Sequence, residues 1–298
     1  MEKLLFTGGT GFLGRNAMPV LTKQYEVTRI GISKDDDIKV NFALEVPKLP
    51  CRYDVVLHAA GKAHIYPKTE EEKKSFYDVN VTGTKNLCSA LNIYGLPKTL
   101  IFISTLGVYG NKPGNGETED ERELVGDEVY QETKIQAEQY LQKWAKENGV
   151  ILGILRPSLL VGKGAPGNLG AMVNGIKTGF YASIAGGKAH KSMLMAEDIA
   201  HILPLIENKG GIYNVCDNHH PRFRELERTI AKQLGKRPPL IIPYWMAKCL
   251  AWVGDVISTF PINSSRLEKI ITDDTYSSKK AQKELGWTPM DVIENYKI

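Results

Sequence analysis

The octapeptide TGGTGFLG, residues 7–14, follows the strand-like run KLLFT and opens a helical pattern. Gly8, Gly11 and Gly14 recur at intervals of three at the first strand-to-helix junction of the chain. One glycine permits the tight turn, one lets backbone approach a pyrophosphate, and one lets the helix pack closely on the strand. The phosphates would rest on the N–H groups of the helix start. A generic glycine turn is the plainer alternative, but this position is the context a dinucleotide loop requires. No GxxxxGK[ST] pattern occurs, so a Walker-type phosphate loop is not supported.

The rest of the first half continues that rhythm. Apolar runs EVTRIGI, IKVNF, DVVLHAA, TLIFIS and VILGILRP alternate with helical patterns from about Phe12, around 71–94 and over 127–147. Short β-rich runs between helix-length segments predict βαβ units in a parallel sheet buried on both faces. The fold class is therefore α/β, a Rossmann-like doubly wound parallel sheet over residues 1–157. After Pro157 the pattern changes to the Gly-rich VGKGAPGNLG, then helices interrupted by the strand-like GIYNV. A smaller mixed α/β substrate-binding lobe is expected over 158–298, with some of its segments able to return to the sheet.

Charge sets a limit on partners. The 38 basic and 34 acidic residues leave +4, dispersed apart from short runs, so nucleic-acid binding is not indicated. Cys51, Cys88, Cys216 and Cys249 are far apart with no CxxC pair, as expected of reduced packing residues in a cytoplasmic protein. No apolar run reaches the roughly 18–20 residues of a membrane span, and no signal peptide is evident. PYWMAKCLAWVGDVI reads as a core amphipathic helix in preference to a loose membrane anchor.

The stretch DEVYQETKIQAEQYLQKWAKE carries the chemistry. If it is helical, Tyr130, Lys134, Ala137, Leu141 and Trp144 fall within about 80° of arc. Glu132, Gln136, Glu138, Gln139, Gln142 and Lys143 then occupy the other faces. A lysine on the inward face is unfavourable by several kcal/mol unless a partner or cleft receives it. The bland alternative lays its stem along the surface with its head in solvent. A functional cleft is the economical reading: a fixed ammonium favours the phenolate and brings tyrosine toward the working pH range. Such a tyrosine exchanges a proton with an alcohol or ketone while hydride moves to or from a nicotinamide.

Together these motifs resemble the extended short-chain dehydrogenases/reductases, in the branch of nucleotide-sugar epimerases, dehydratases and 4-ketoreductases. The resemblance runs through TGGTGFLG, LHAAG (57–61), VNVTGTKNL around Asn80, FISTLGVYG (102–110), YQETK, LRPSLLVGKG and KKAQKELGWTP. It implies Tyr130 as acid/base, Lys134 as the residue that tunes it and holds the nicotinamide ribose, and Thr105 as hydrogen-bond partner of the reacting oxygen. Ser104 is the second choice for that oxygen and would border the cofactor. Phe12, Leu13, Ala59, Ala60 and Gly61 would line the cofactor, Asn80 and Pro157 its nicotinamide half, and Asn41 and Phe42 its adenine side. At RIGISKDDD, Ser33 and Lys34 suit the 2′-phosphate of NADP, whereas Asp35 to Asp37 would suit NAD; NADP is favoured.

Departures from the family pattern bear on the substrate. Leu159 in RPSLL stands where many epimerases and dehydratases carry Asn, which is similar to 4-ketoreductases of UDP-linked N-acetyl deoxysugars. Lys191 stands where an arginine for the substrate diphosphate is usual, and Asn168 is a substrate-side candidate. Leu106 and Gly107 follow Thr105 in place of the dehydratases' acidic pair, which disfavours 4,6-dehydration. The resemblance thus implies an NAD(P)-dependent reductase of a nucleotide-activated 4-keto sugar for surface polysaccharide precursors, with homodimers usual among relatives. A 4-epimerase with tightly bound NAD is the alternative, and a non-catalytic NADP-sensing regulator a remote one. No metal is expected: His219 and His220 read as a loop, His58 and His64 as cofactor-loop structure, and Tyr109 as packing.

Overall fold

The computed structural model describes residues 1–63, 66–257 and 262–298. Its centre is a parallel sheet of seven strands: β1 (Glu2–Thr7), β2 (Tyr25–Gly31), β3 (Ile38–Lys39), β4 (Val55–His58), β5 (Thr99–Ile103), β7 (Ile151–Pro157) and β11 (Gly211–Val215). The spatial order is β11-β7-β5-β4-β1-β2-β3, so the direction of winding reverses at β1. Every residue of β4 and β5 is buried, as expected of central parallel strands covered on both faces.

Helices α1 (Phe12–Leu21), α2 (Glu70–Tyr77), α3 (Gly83–Tyr94) and α4 (Val129–Asn148) connect the first strands. The pattern around 71–94 is not one helix. A π-helical turn, Asp78–Thr82, separates α2 from α3 and carries Asn80; such turns concentrate at functional sites. α4 starts with a capping box between Glu128 and Gln131 and ends at Gly149 in the left-handed region. Its Ala137, Leu141 and Trp144 pack with Leu91, Phe102 and Ile154 in one core layer. Glu138 departs from the expected placement: it is fully buried.

The rest of the chain adds β6 (Asn115–Glu117), β8 (Leu159–Val161), β9 (Ala182–Ile184), β10 (Met193–Met195), β12 (Leu240–Ile242) and β13 (Thr275–Tyr276), which form three two-stranded pairs. Its helices are α5 (Gly167–Thr178), α6 (Asp198–Ile206), α7 (Phe223–Gln233), α8 (Tyr244–Val256), α9 (Ser264–Ile271), α10 (Lys279–Leu285) and α11 (Val292–Asn295). GIYNV forms β11 and returns to the sheet beside β7, and α6 packs against the same core layer as α1. Among the described residues no helix is long and apolar enough to cross a membrane. The expected core helix, α8, buries only Ala247, Ala251 and Gly254. Cys88 and Cys216 are buried, Cys51 is partly so, and Cys249 on α8 is exposed.

Candidate active site

The loop after β1 is built by glycine geometry. Gly8 adopts φ +78°, and a Cβ there would stand 2.9 Å from the Ala60 nitrogen, so this loop presses against the one after β4. Thr7 ties the two together, its carbonyl accepting from Ala59 N (3.2 Å) and its hydroxyl from Ala60 N (3.0 Å). A Cβ at Gly14 would collide with the Gly9 carbonyl, which fixes the close approach of α1. Gly11 differs: around a Cβ there, only the Gly8 oxygen lies within 4 Å among the described residues. An open cradle therefore faces the uncapped first turn at Phe12 and Leu13, as a pyrophosphate site requires.

At the end of β2 the three acids are not equivalent. Asp37 pairs with Arg29 (Nη2–Oδ1 2.9 Å), whose hydrogen bond holds its carboxyl below the usual range. Asp36 accepts from Ser33 N (2.8 Å), and its Oδ1 is buried with no hydrogen-bond partner. Ser33 is partly exposed, Lys34 and Asp35 are exposed, and the Ser33 hydroxyl accepts from Asp35 N. An orphaned carboxylate oxygen suits ribose hydroxyls, while Ser33 and Lys34 suit a phosphate. On the adenine side Phe42 packs in the core, its carbonyl taking Asn86 Nδ2, and Asn41 turns back to its own loop through Ala43 N.

A buried chain of hydrogen bonds links the two cofactor loops to Asn80. Thr84 Oγ1 donates to the Asn80 carbonyl (2.7 Å) and therefore accepts from His58 Nε2 (2.8 Å). His58 Nδ1 is then the acceptor for the Thr7 hydroxyl (2.7 Å). Only a neutral imidazole satisfies that sequence, and burial, assisted by the Lys134 ammonium, pushes His58 down to about 3. Asn80 in turn accepts from Lys62 N and donates to Lys62 O and Thr133 Oγ1. His64 lies outside the described residues.

Gly61 meets this network. A Cβ on it would stand 3.2 Å from Asn80 Oδ1 and 3.3 Å from Lys134 Nζ. Lys134 is 4% exposed; its ammonium donates to the Ile103 carbonyl (2.8 Å) and lies 4.5 Å from the centre of the Phe102 ring. Burial brings it down to about 8, opposed by the Glu138 carboxylate one turn on. Tyr130 keeps part of its surface accessible, and burial pushes its phenol up to about 12 against a hydrogen bond with the Thr105 side chain that pulls it down. The sequence argument has Lys134 lowering that phenol. In the structure Lys134 is engaged with Ile103 and Phe102, and the group acting on Tyr130 is Thr105.

Ser104 faces another way. Its hydroxyl donates to Glu138 Oε1 (2.5 Å), so it is not presented to the reacting oxygen. Glu138 also holds Arg156 through two bonds (3.0 and 2.6 Å), and Arg156 Nη1 donates to Tyr109 Oη (2.9 Å). Tyr109 completes the chain by donating to Asn214 Oδ1 on β11. Sequence reasoning missed Glu138 and Arg156; the signal was a carboxylate four residues after Lys134 and an arginine just before Pro157.

On the far side of the site, Pro157 ends β7, paired in register with Val215. Asn168 is exposed in the first turn of α5. Lys191 Nζ donates to the Lys269 carbonyl on α9 (2.8 Å), and Lys269 Nζ reaches Asn111 Oδ1 (3.2 Å) and Glu128 Oε1 (3.4 Å) at the start of α4. That bridge was not legible in the sequence. His219 lies between Asp291 (2.9 Å) and Glu225 (3.3 Å).

A sequence model described as the NAD dependent epimerase/dehydratase family matches residues 4–216. The chain belongs to that family. It is an NAD(P)-dependent enzyme of the extended short-chain dehydrogenase/reductase type. Among the family's curated members, a UDP-glucose 4-epimerase of Vibrio cholerae is 28% identical over 98% of this chain and 92% of that protein. A GDP-6-deoxy-D-mannose reductase of Pseudomonas aeruginosa is 24% identical over 77% of this chain and 79% of that protein. A solved UDP-glucose 4-epimerase of Thermotoga maritima shares the fold with a TM-score of 0.74, at 20% identity over 98% and 95% of the two chains. The seven parallel strands and the winding reversal at β1 are this family's Rossmann-like core.

Proposed function

We propose that the protein reduces a nucleotide-activated 4-keto sugar, a UDP-linked N-acetyl deoxysugar, with NADPH as the preferred cofactor. In this reading the glycine loop with Phe12 and Leu13 holds the pyrophosphate. Ser33 and Lys34 take the 2′-phosphate, and Asn41 and Phe42 border the adenine. Ala59, Ala60, Gly61, Asn80, Ser104 and Pro157 line the rest, the last four through backbone or the network around Lys134. NADPH, when bound, supplies the hydride. Tyr130 gives its proton to the oxygen of the ketone as it becomes an alcohol, Thr105 hydrogen-bonds the same oxygen, and Lys134 would hold the nicotinamide ribose. Asn168 and Lys191 would hold the substrate's sugar and diphosphate.

The observation that supports this reading is the hydrogen bond between the Thr105 and Tyr130 side chains, which sets two hydroxyls to share one reacting oxygen. The half-exposed Leu159 at the mouth of β8, where the resemblance has Asn in many epimerases, points the same way. A second reading, a 4-epimerase that keeps NAD, is favoured by the orphaned Asp36 Oδ1 at the end of β2 and by the Vibrio cholerae relative. We further propose that residues 1–157 form the cofactor domain, completed by β11, that 158–298 supply the substrate lobe, and that the enzyme works in the cytoplasm, as a homodimer, on precursors of a surface polysaccharide.

Purified protein decides between the two. Stoichiometric consumption of NADPH with a UDP-linked 4-keto sugar is expected. Protein that arrives carrying one equivalent of NAD, interconverts C4 epimers and consumes no NADPH would show the epimerase reading to be right.

A further inference from the structure

Helix α8 is seated by its smallest residues. Ala247, Ala251 and Gly254 are buried at i, i+4 and i+7, and a Cβ on Gly254 would collide with the Ile262 carbonyl. The large side chains lie elsewhere: Trp245 is 67% exposed, Trp252 70% and Val256 75%, with Tyr244, Met246 and Leu250 also exposed. At about 100° per residue, Trp245, Trp252, Cys249 and Val256 stand roughly opposite the buried row. The apolar surface continues along β12, where Leu240 and Ile241 are exposed, and to Phe180, two residues before the β9 residue paired with Leu240. Large apolar side chains left in water on neighbouring segments of this kind mark a contact surface.

Charge says what covers it. Segments 177–188 and 236–257 carry Lys177, Lys188, Lys236, Arg237 and Lys248 against Asp255 alone, 5 − 1 = +4, and the whole chain carries 38 − 34 = +4. These two segments are thus strongly cationic, while the rest of the chain sums to zero. The five cations are exposed, and Lys188 stands beside Ile241, both next to Gly186. Asp255 is turned to Ser264, accepting from its N and Oγ. A two-fold contact between copies would set this positive surface against itself. Tryptophans on an outward face rimmed by lysine and arginine match the boundary of a bilayer bearing negative headgroups.

We propose that α8, β12 and the Phe180 turn dock the protein on the surface of an anionic phospholipid bilayer, with Trp245 and Trp252 entering the headgroup boundary. The contact is peripheral. Because α9 packs with α8 and its Lys269 reaches the start of α4, docking holds the substrate side of the cleft beside the membrane.

The test is co-sedimentation of the full chain with vesicles of phosphatidylcholine alone and of phosphatidylcholine with phosphatidylglycerol. Binding to the anionic vesicles at low salt is expected to exceed binding to neutral ones by about tenfold or more. Tryptophan emission should shift to the blue on binding, since Trp144 and Trp287 are already buried and the change reads Trp245 and Trp252. Trp245→Ser/Trp252→Ser should bind vesicles about tenfold more weakly. That variant should keep NADPH binding, which shows that it is folded. Absence of binding to anionic vesicles, binding unaffected in the double variant, or a dimer in light scattering that the double variant breaks would each overturn the proposal.

Discussion

Helices α4 and α8 meet opposite fates: α8, with ten apolar residues in thirteen, is the more apolar, yet α4, with eight in twenty, buries its large side chains. α4 buries Ala137, Leu141 and Trp144 and takes polar groups in with them, each matched: Lys134 to Ile103 O, Glu138 to Arg156 and Ser104. α8 buries three small residues and leaves both of its tryptophans in solvent. Apolar content thus does not say which face a helix buries. The partner surface decides: the sheet offers α4 a broad apolar layer with hydrogen-bonding groups at its edge, whereas α8 is seated on a small cluster through two alanines and, at Gly254, with no room for a Cβ against the Ile262 carbonyl.

Substitutions can break that contrast, and the largest effect is expected at the buried ion pair. Glu138→Gln leaves Arg156 without its counter-charge and should cost about 3–5 kcal/mol in chemical denaturation. It should also lower the Lys134 pKa further, since Glu138 is what holds it up. Next comes a matched pair of leucines: Leu141→Ala should lose about 2–5 kcal/mol, while Leu250→Ala on the exposed face of α8 should stay within about 0.5 kcal/mol. Equal losses would erase the distinction between the helices. The smallest effect is one of pH. Lys134 is depressed to about 8 from 10.5, so above pH 8 the folded protein releases this proton before the unfolded chain does. Stability contributed by Lys134 therefore rises between about pH 8 and 10.5, and the advantage of Lys134→Met over wild type should shrink across that window.

Much of the fold was legible because buried parallel strands read as runs of Val, Ile and Leu, and because Gly8 and Gly14 occupy places that only glycine fills, with Gly11 opening the cradle between them. The three-residue strands β8, β9, β10 and β12 leave too short a pattern to see. The π turn at Asp78–Thr82 has no local signature, since Asn80 is held there by Lys62 and Thr133 rather than by its neighbours in sequence. In the site, Tyr130, Lys134 and Thr105 stood out by spacing and motif. Glu138 did not, because it lies about 40° beyond the apolar arc and its charge argues for solvent. The arginine that reverses that argument is on strand β7. For α8 the misreading was of a different kind: the stripe was real, and nothing in the sequence shows that, among the described residues, no layer covers it.

The central claim is that Tyr130, beside Thr105 and Lys134, moves the proton of a carbonyl–alcohol interconversion. Tyr130→Phe tests it by removing one oxygen. Turnover measured alongside NADPH affinity should fall by roughly 10²–10⁴-fold while affinity stays within about twofold of wild type. A variant that keeps most of its turnover would contradict the claim.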